Sequence, residues 1–374
     1  MLAAGAAPGT DGPGAGAPAV PSERRRRVLR WAVGLGALLL ILLSPLLGSV
    51  NIPPATVLSI VVHQLSGGAL APSPCAGSSA PPGLCQAWVE IVWDSRLPVI
   101  LLALVVGAAL GLSGATLQGT FRNPLADPYL LGLSAGGTLG AAVLFVFQLG
   151  TTDANLTLPL FAFLGSLLTG MAILLASRVL GGSVESLLLV GVALASLLSA
   201  VLSITLLLNP EGSLQVDFWL LGGLGGATWT RVGIAFGGVL AVGALLSLFG
   251  RELNILQLGP EVAQSLGVDA ARVRTRLILL ASFATAMAVA FTGIIGFVGL
   301  VAPHMVRRLV GPDYRRVLPG SAIVGALFLL AANDLAIRSL PATELPVGIF
   351  TAFAGAPFFL YLLYRRRLRT GDSV

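Results

Sequence analysis

The sequence predicts an all-α integral membrane protein with about ten transmembrane helices. Three observations lead there. Of the 374 residues, 56% are hydrophobic and only 10% charged, with a mean hydropathy of +0.92. A soluble domain needs more charge to cover its surface. Apolar runs recur at close to the ~20 residues that let a helix cross a bilayer. Arginines gather at alternate turns between those runs, as they do when a chain crosses a membrane repeatedly. The short alternating segments of an outer-membrane barrel are absent.

Residues 1–27 form the first element, a tail expected to be disordered: positions 1–23 are rich in Ala, Gly and Pro, and Arg24–Arg27 follow. The apolar run from Trp31 to Leu47 is long for a signal peptide and is followed by no A-x-A cleavage site, so it reads as an uncleaved first span. The spans then fall at 28–48, 96–118, 129–149, 158–179, 186–208, 228–250, 274–293, 294–310, 318–337 and 346–364. Residues 274–310 are nearly continuous, broken by Gly293, Gly296 and Gly299, and the split is placed at Gly293. Residues 28–365 make one membrane domain, and 366–374 a basic tail.

Orientation follows from the arginines. Arg24–Arg27, Arg30, Arg122, Arg178, Arg251, Arg272, Arg274, Arg276, Arg307, Arg308, Arg315, Arg316, Arg365–Arg367 and Arg369 fall on one side. Arg96, Arg231 and Arg338 fall on the other. The first side is expected to be cytoplasmic, with both termini there, in a cytoplasmic membrane. The largest outer loop, 49–95, carries Cys75 and Cys85, which outside the cytoplasm are expected to form a disulfide; two free thiols are the alternative.

The chain contains no lysine. A P-loop needs its Lys on the nucleotide phosphates, so this chain cannot hold ATP by that route. His63 and His304 stand alone, so no metal site is expected, and His304 reads as structural. No catalytic residues, cofactor or nucleic-acid partner are expected, and the protein is not an enzyme. The span interiors hold almost no ionisable residue, which argues against an ion-driven secondary transporter, the alternative class. An intramembrane enzyme ranks lower still, because no nucleophile–base set exists.

Three features remain. Arg122-Asn123-Pro124-Leu125-Ala126-Asp127-Pro128 must form a stiff turn. It is either a tight loop or one that closes a path. Ser196, Ser199 and Ser203 share a helical face. That stripe either bonds its own backbone or lines a path. Residues 251–276 are a polar, basic island between apolar runs. There Gly259-Pro260 starts a short helix, Glu261 sits at its positive end, Gly267 stops it, and Asp269 caps the next helix. A helix that short is not stable alone, which favours docking to a partner over an ordinary amphipathic loop.

Together RNPLADPYLLGLSAGG at 122–137, EVAQSLG at 261–267 and GFVGLVAPHMVRR at 296–308 resemble the FecCD-type permease subunits of type II ABC importers. RLPVILLALVVGAALGLSG at 96–114 and ELPVGIFTAFAGAPFFLYLL at 344–363 fit as well. Members of that family import iron–siderophore complexes, haem and cobalamin. The resemblance implies the type II importer permease fold, a second permease copy, two cytoplasmic ATP-binding subunits and an extracytoplasmic substrate-binding protein. Residues 251–276 then correspond to the coupling helices, with Glu261, Ala263, Leu266 and Gly267 at the ATPase contact. Asn123 and Leu125 fall in the cytoplasmic gate, with Val184 and Glu185 as companions where relatives carry small hydroxyl residues. The Ser196, Ser199 and Ser203 stripe borders the translocation path. Arg96 and Arg338 match sites where the binding protein docks, although position 99, an arginine in the family pattern, is Val99 here. The expected cargo is an iron–siderophore complex, with cobalamin or haem as the alternative.

Overall fold

The computed structural model describes residues 34–71, 75, 81–147, 154–339 and 345–370, all helix, turn or irregular chain with no strand. All of the expected N-terminal tail, residues 1–27, and the last four residues lie outside that set. The helices are α1 (Gly34–Leu46), α2 (Pro54–Ser66), α3 (Pro82–Glu90), α4 (Leu97–Thr120), α5 (Leu133–Phe147), α6 (Ala154–Val179), α7 (Val184–Leu208) and α8 (Pro210–Leu220). They continue with α9 (Trp229–Leu248), α10 (Gly250–Leu256), α11 (Pro260–Ser265), α12 (Ala270–Thr292), α13 (Val298–Val310), α14 (Tyr314–Ser339) and α15 (Val347–Thr370).

Among the described residues, seven helices are long and apolar enough to cross a membrane. The other three expected spans are shorter. The first is visible from Gly34. The third opens with a 3₁₀ turn at Pro128–Leu131, and the eighth begins only at Val298. The split at Gly293 is where the chain breaks: Gly293 has φ 70° and ends α12.

The α4 helix is the centre. It is apolar on every face and buried on most of its length, as a fully enclosed helix should be. It packs most extensively against α14, and also against α12, α13 and α9. Small residues allow the close approach. A methyl group on Gly107 or Gly111 would fall on the α14 backbone at Gly325 or Ser321, and one on Gly114 on the Gly299 carbonyl of α13. Inside this seam Ser113 Oγ meets Thr285 Oγ1 at 2.7 Å, so a polar pair is satisfied without water. By contrast α7 and α15 leave most of their apolar side chains open, as lipid-facing or partner-facing helices do.

The outer segment corrects the expectation of a loop over 49–95. It contains α2 and α3, and α3 runs through a π-helical stretch, Ile91–Arg96, straight into α4. The result is one continuous helix over Gly83–Thr120, so the helix that carries the second span begins before Arg96. The Pro-Pro pairs that read as loop are helix starts, with Pro54 and Pro82 in first helical positions where a missing N–H costs nothing. A second correction is α8, an unexpected helix between the fifth and sixth spans. The α15 helix continues through residues 366–370, past the candidate span that ends at Tyr364.

Cys75 and Cys85 are bonded, with Cα atoms 5.7 Å apart, and tie the outer segment to the start of the long helix. Closing so short a loop stabilises it by about 2–3 kcal/mol. Alkylation is expected to add two adducts per chain only after reduction, and a Cys75→Ser, Cys85→Ser variant should be cleaved faster by protease outside α4. Adducts without reduction would show two free thiols.

Candidate functional site

The arginine-rich end holds the sequence features that pointed to a partner. At the end of α9, Gly250 is packed close to Arg315, and α10 turns back along α14 with Leu253 and Leu256 buried. Asn254 locks this corner. Its Nδ2 donates to Asp313 Oδ1 at 2.6 Å, and its Oδ1 accepts from the Tyr314 N–H at 2.9 Å. The Asn254 amide and the Arg315 N–H hold the Asp313 carboxyl below the usual carboxylate range.

Gly259, at φ 107°, then redirects the chain into Pro260 and α11. Ala263 points inward and is fully buried. The α11 end is closed by Gly267 N–H to Gln264 O at 3.0 Å and Val268 N–H to Ala263 O at 2.9 Å, with Gly267 at φ 77°. That is a Schellman closure, which needs the left-handed residue at this position. Asp269 Oδ1 caps α12 through the Arg272 N–H at 3.0 Å. The outcome is a rigid short helix that presents Glu261, Val262 (43% exposed) and Leu266 (54% exposed) outward. A cavity of about 590 Å³ lies beside it, lined by Pro260, Gln264, Gly267, Asp269 and Arg274.

The turn after α4 is equally fixed. Arg122 has φ 51°, a conformation shared among the described non-glycine residues only with Phe297. Asn123 Oδ1 accepts from the Leu125 N–H at 3.0 Å, and Asp127 Oδ1 from the Tyr129 N–H at 2.9 Å. Burial pushes the Asp127 carboxyl up to about 6, against the opposing pull of that hydrogen bond. The Tyr129 hydroxyl accepts from the Ile295 N–H at 3.0 Å and so fastens the turn to the glycine-rich link before α13. Val184 and Glu185 stand in the first turn of α7, which Ser183 caps through the Ser186 N–H at 3.0 Å. The contact to the turn lies further along α7, where Gly132 is packed close to Gly191 O.

Ser196, Ser199 and Ser203 lie on an exposed face of α7. Ser196 Oγ donates to Val192 O and Ser203 Oγ to Ser199 O, each at 2.9 Å, so these two serines use their own helix backbone. At the opposite end Arg338 is exposed in the last turn of α14. Arg96 is not presented in the same way. It is buried, and its guanidinium donates to the Pro45 carbonyl at 3.1 Å and to the Val50 carbonyl, clamping the chain after α1. Beside it Ser44 Oγ donates to Asp334 Oδ1 at 2.8 Å. His304 packs its ring edge-on to Phe358, with centroids 5.9 Å apart, in a structural contact. Among the described residues no cluster of His, Cys, Asp or Glu could hold a metal.

Sequence reasoning missed Gln118 and Arg307. Gln118 is 2% exposed; its Nε2 donates to Gly299 O at 3.2 Å, and its Oε1 accepts from Arg307 Nη2. A lone amide in the apolar run LGLSGATLQGT was the available signal, since buried polar groups in a span demand partners.

A helical protein with seven helices able to cross a membrane and a short two-helix module at one end fits the class of membrane permeases. The chain belongs to the FecCD transport family, whose profile matches residues 36–365. It is 39% identical to the cobalamin import system permease protein BtuC of Halobacterium salinarum, over 93% of this chain and 99% of that protein. It is 42% identical to the hemin transport system permease protein HmuU of Yersinia pestis, over 75% of this chain and 84% of that one. Among solved structures it resembles an inward-facing conformation of a metal-chelate type ABC transporter. That match has a TM-score of 0.70 and 32% identity, over 83% of this chain and 98% of the other. The chain is therefore an ABC importer permease, and its fold is the all-helical type II importer fold.

Proposed function

We propose that this permease moves a metal chelate intact across the cytoplasmic membrane, with both termini inside, driven by ATP hydrolysis in separate subunits. The observation that carries the reading is the α10–α11 module. It is locked by Asn254 and the Gly267 closure, yet leaves Val262 and Leu266 open. A chain without lysine has no P-loop, so the motor must be a partner, and α11 is the surface offered to it. Glu261 and Leu266 form that contact, with the buried Ala263 and the Gly267 turn fixing how α11 is presented. Asn123 and Leu125 form the gate with Val184 and Glu185 of the first α7 turn as companions, and the α7 serines border the path where a second copy completes it. The exposed Arg338 is the better candidate for docking an extracytoplasmic binding protein. Arg96 supports that face by holding the neighbouring loop.

The cargo is a metal held by an organic chelator, the chemistry common to the relatives named for cobalamin, hemin and iron chelates. An iron–siderophore complex is the first reading, supported by the likeness to a metal-chelate transporter. Cobalamin is the second, favoured by the match along 99% of a cobalamin permease. In proteoliposomes with the ATP-binding subunits and binding protein, ferric siderophore uptake is expected to require ATP. Cobalamin uptake in its place would select the second reading. Uptake driven by an ion gradient without ATP would overturn the importer assignment.

A further inference from the structure

Two parts of the arginine-rich end meet at one carbonyl. At the end of α4, Gly119 O accepts from the Arg122 N–H at 3.3 Å, and Gln118 O from the Asn123 N–H at 3.1 Å. These bonds set the start of the 122–128 turn. Gly119 O also accepts from Gln257 Nε2 at 2.8 Å, across 138 residues of sequence. Gln257 lies in the link between α10 and α11. Two residues further on, a Cβ at Gly259 would lie 3.5 Å from Arg122 Nη1, so the left-handed Arg122 reaches back over the same link. On the buried side of α4, Gln118 continues the chain of contacts to Gly299 and Arg307 of α13.

We infer that Gln257 is a positioning residue that ties the α10–α11 module to the gate turn, with Gln118 passing the tie to α13. This rests on the coupling role proposed for α11. The geometry leaves little slack. A hydrogen bond of 2.8 Å weakens steeply if one partner moves by an ångström, so the turn must follow the module or lose the bond. Gln257 is exposed and its bond to Gly119 O only part-buried, so its amide can also bond water. Its placement on Gly119 O therefore serves geometry more than stability, which is worth little for a neutral bond in contact with water. The path is a contiguous set of named bonds between one module and one turn, the physical requirement for coupling two elements.

The test uses the full chain with Leu125→Cys, assembled with its ATP-binding subunits in proteoliposomes. The alkylation rate at position 125 is read with and without ATP and vanadate. In the parent the rate should change several-fold on trapping. Gln257→Met, close in shape but without the N–H donor, should abolish that change, and Gln257→Lys, which keeps a donor, should restore it. Transport per ATP should fall about tenfold in the Met variant, within the range of couplings between linked sites. The inference is overturned if the Met variant responds as the parent does, or if Met and Lys are impaired alike. Loss of ATPase binding in the Met variant would also overturn it, by making Gln257 a direct interface residue. If the parent binds no ATP-binding subunit, the coupling reading itself falls, which is a distinct result.

Discussion

Replacing Gly111 with leucine is expected to remove most of the protein from the membrane, a large effect for a single substitution in the core. Gly111 lies where α4 crosses α14, and even a methyl group there would fall on the Ser321 carbonyl. The obstacle is backbone on backbone, so no rotamer change relieves it, and the helices must separate. Overpacking of this kind costs about 3 kcal/mol or more, a large part of a typical folding free energy. Gly107 would fail alongside it, because it holds the same seam against Gly325, and Gly114 likewise against Gly299 of α13. The control is Gly237→Leu on α9, where nothing lies within 4 Å of the added carbon. Size-exclusion of a fluorescent fusion in detergent reads both variants. Equal monodisperse peaks for Gly111→Leu and Gly237→Leu would show that the α4–α14 contact does not decide folding.

Glu261→Arg and Gly267→Val should behave in the opposite manner, leaving the protein in the membrane but silencing transport. Glu261 is exposed, so its reversal disturbs no core. Gly267 has open space around it, but its φ of 77° costs a side chain about 1–2 kcal/mol and a β-branched one more. That strain falls on the Val268 to Ala263 bond that closes α11 and fixes its angle. Transport is expected to drop by about tenfold or more in each variant, as for a lost coupling free energy of 1–3 kcal/mol. A pull-down with the ATP-binding subunit separates loss of docking from loss of transmission. Normal binding together with normal uptake in both variants would end the assignment of α11 as the coupling helix.

The parts of this design that sequence revealed are the ones written in local chemistry. Gly259-Pro260, Gly267 and Asp269 announced α11 and the start of α12, because left-handed turns and caps need those residue types. The break at Gly293 was legible for the same reason. The outer segment misled, since proline marks both loops and first helical turns, and only packing against Val92 and its neighbours decides between them. The α8 helix was hidden by its composition: Glu211, Ser213, Gln215 and Asp217 read as loop. Arg96 followed the docking pattern in sequence, but the chain after α1 folds over it and takes its donors. Gln257 gave no signal at all, because its partner is the carbonyl of a glycine 138 residues away.

The unbroken helix over Gly83–Thr120 carries one more implication. At 1.5 Å per residue it measures about 57 Å, nearly twice the thickness of a bilayer's hydrocarbon core. One tip is stapled by the Cys75–Cys85 bond, and the other ends at Gly119 under Gln257. Packed along its length against α14, α12, α13 and α9, that single rod puts both faces of the protein on one continuous element.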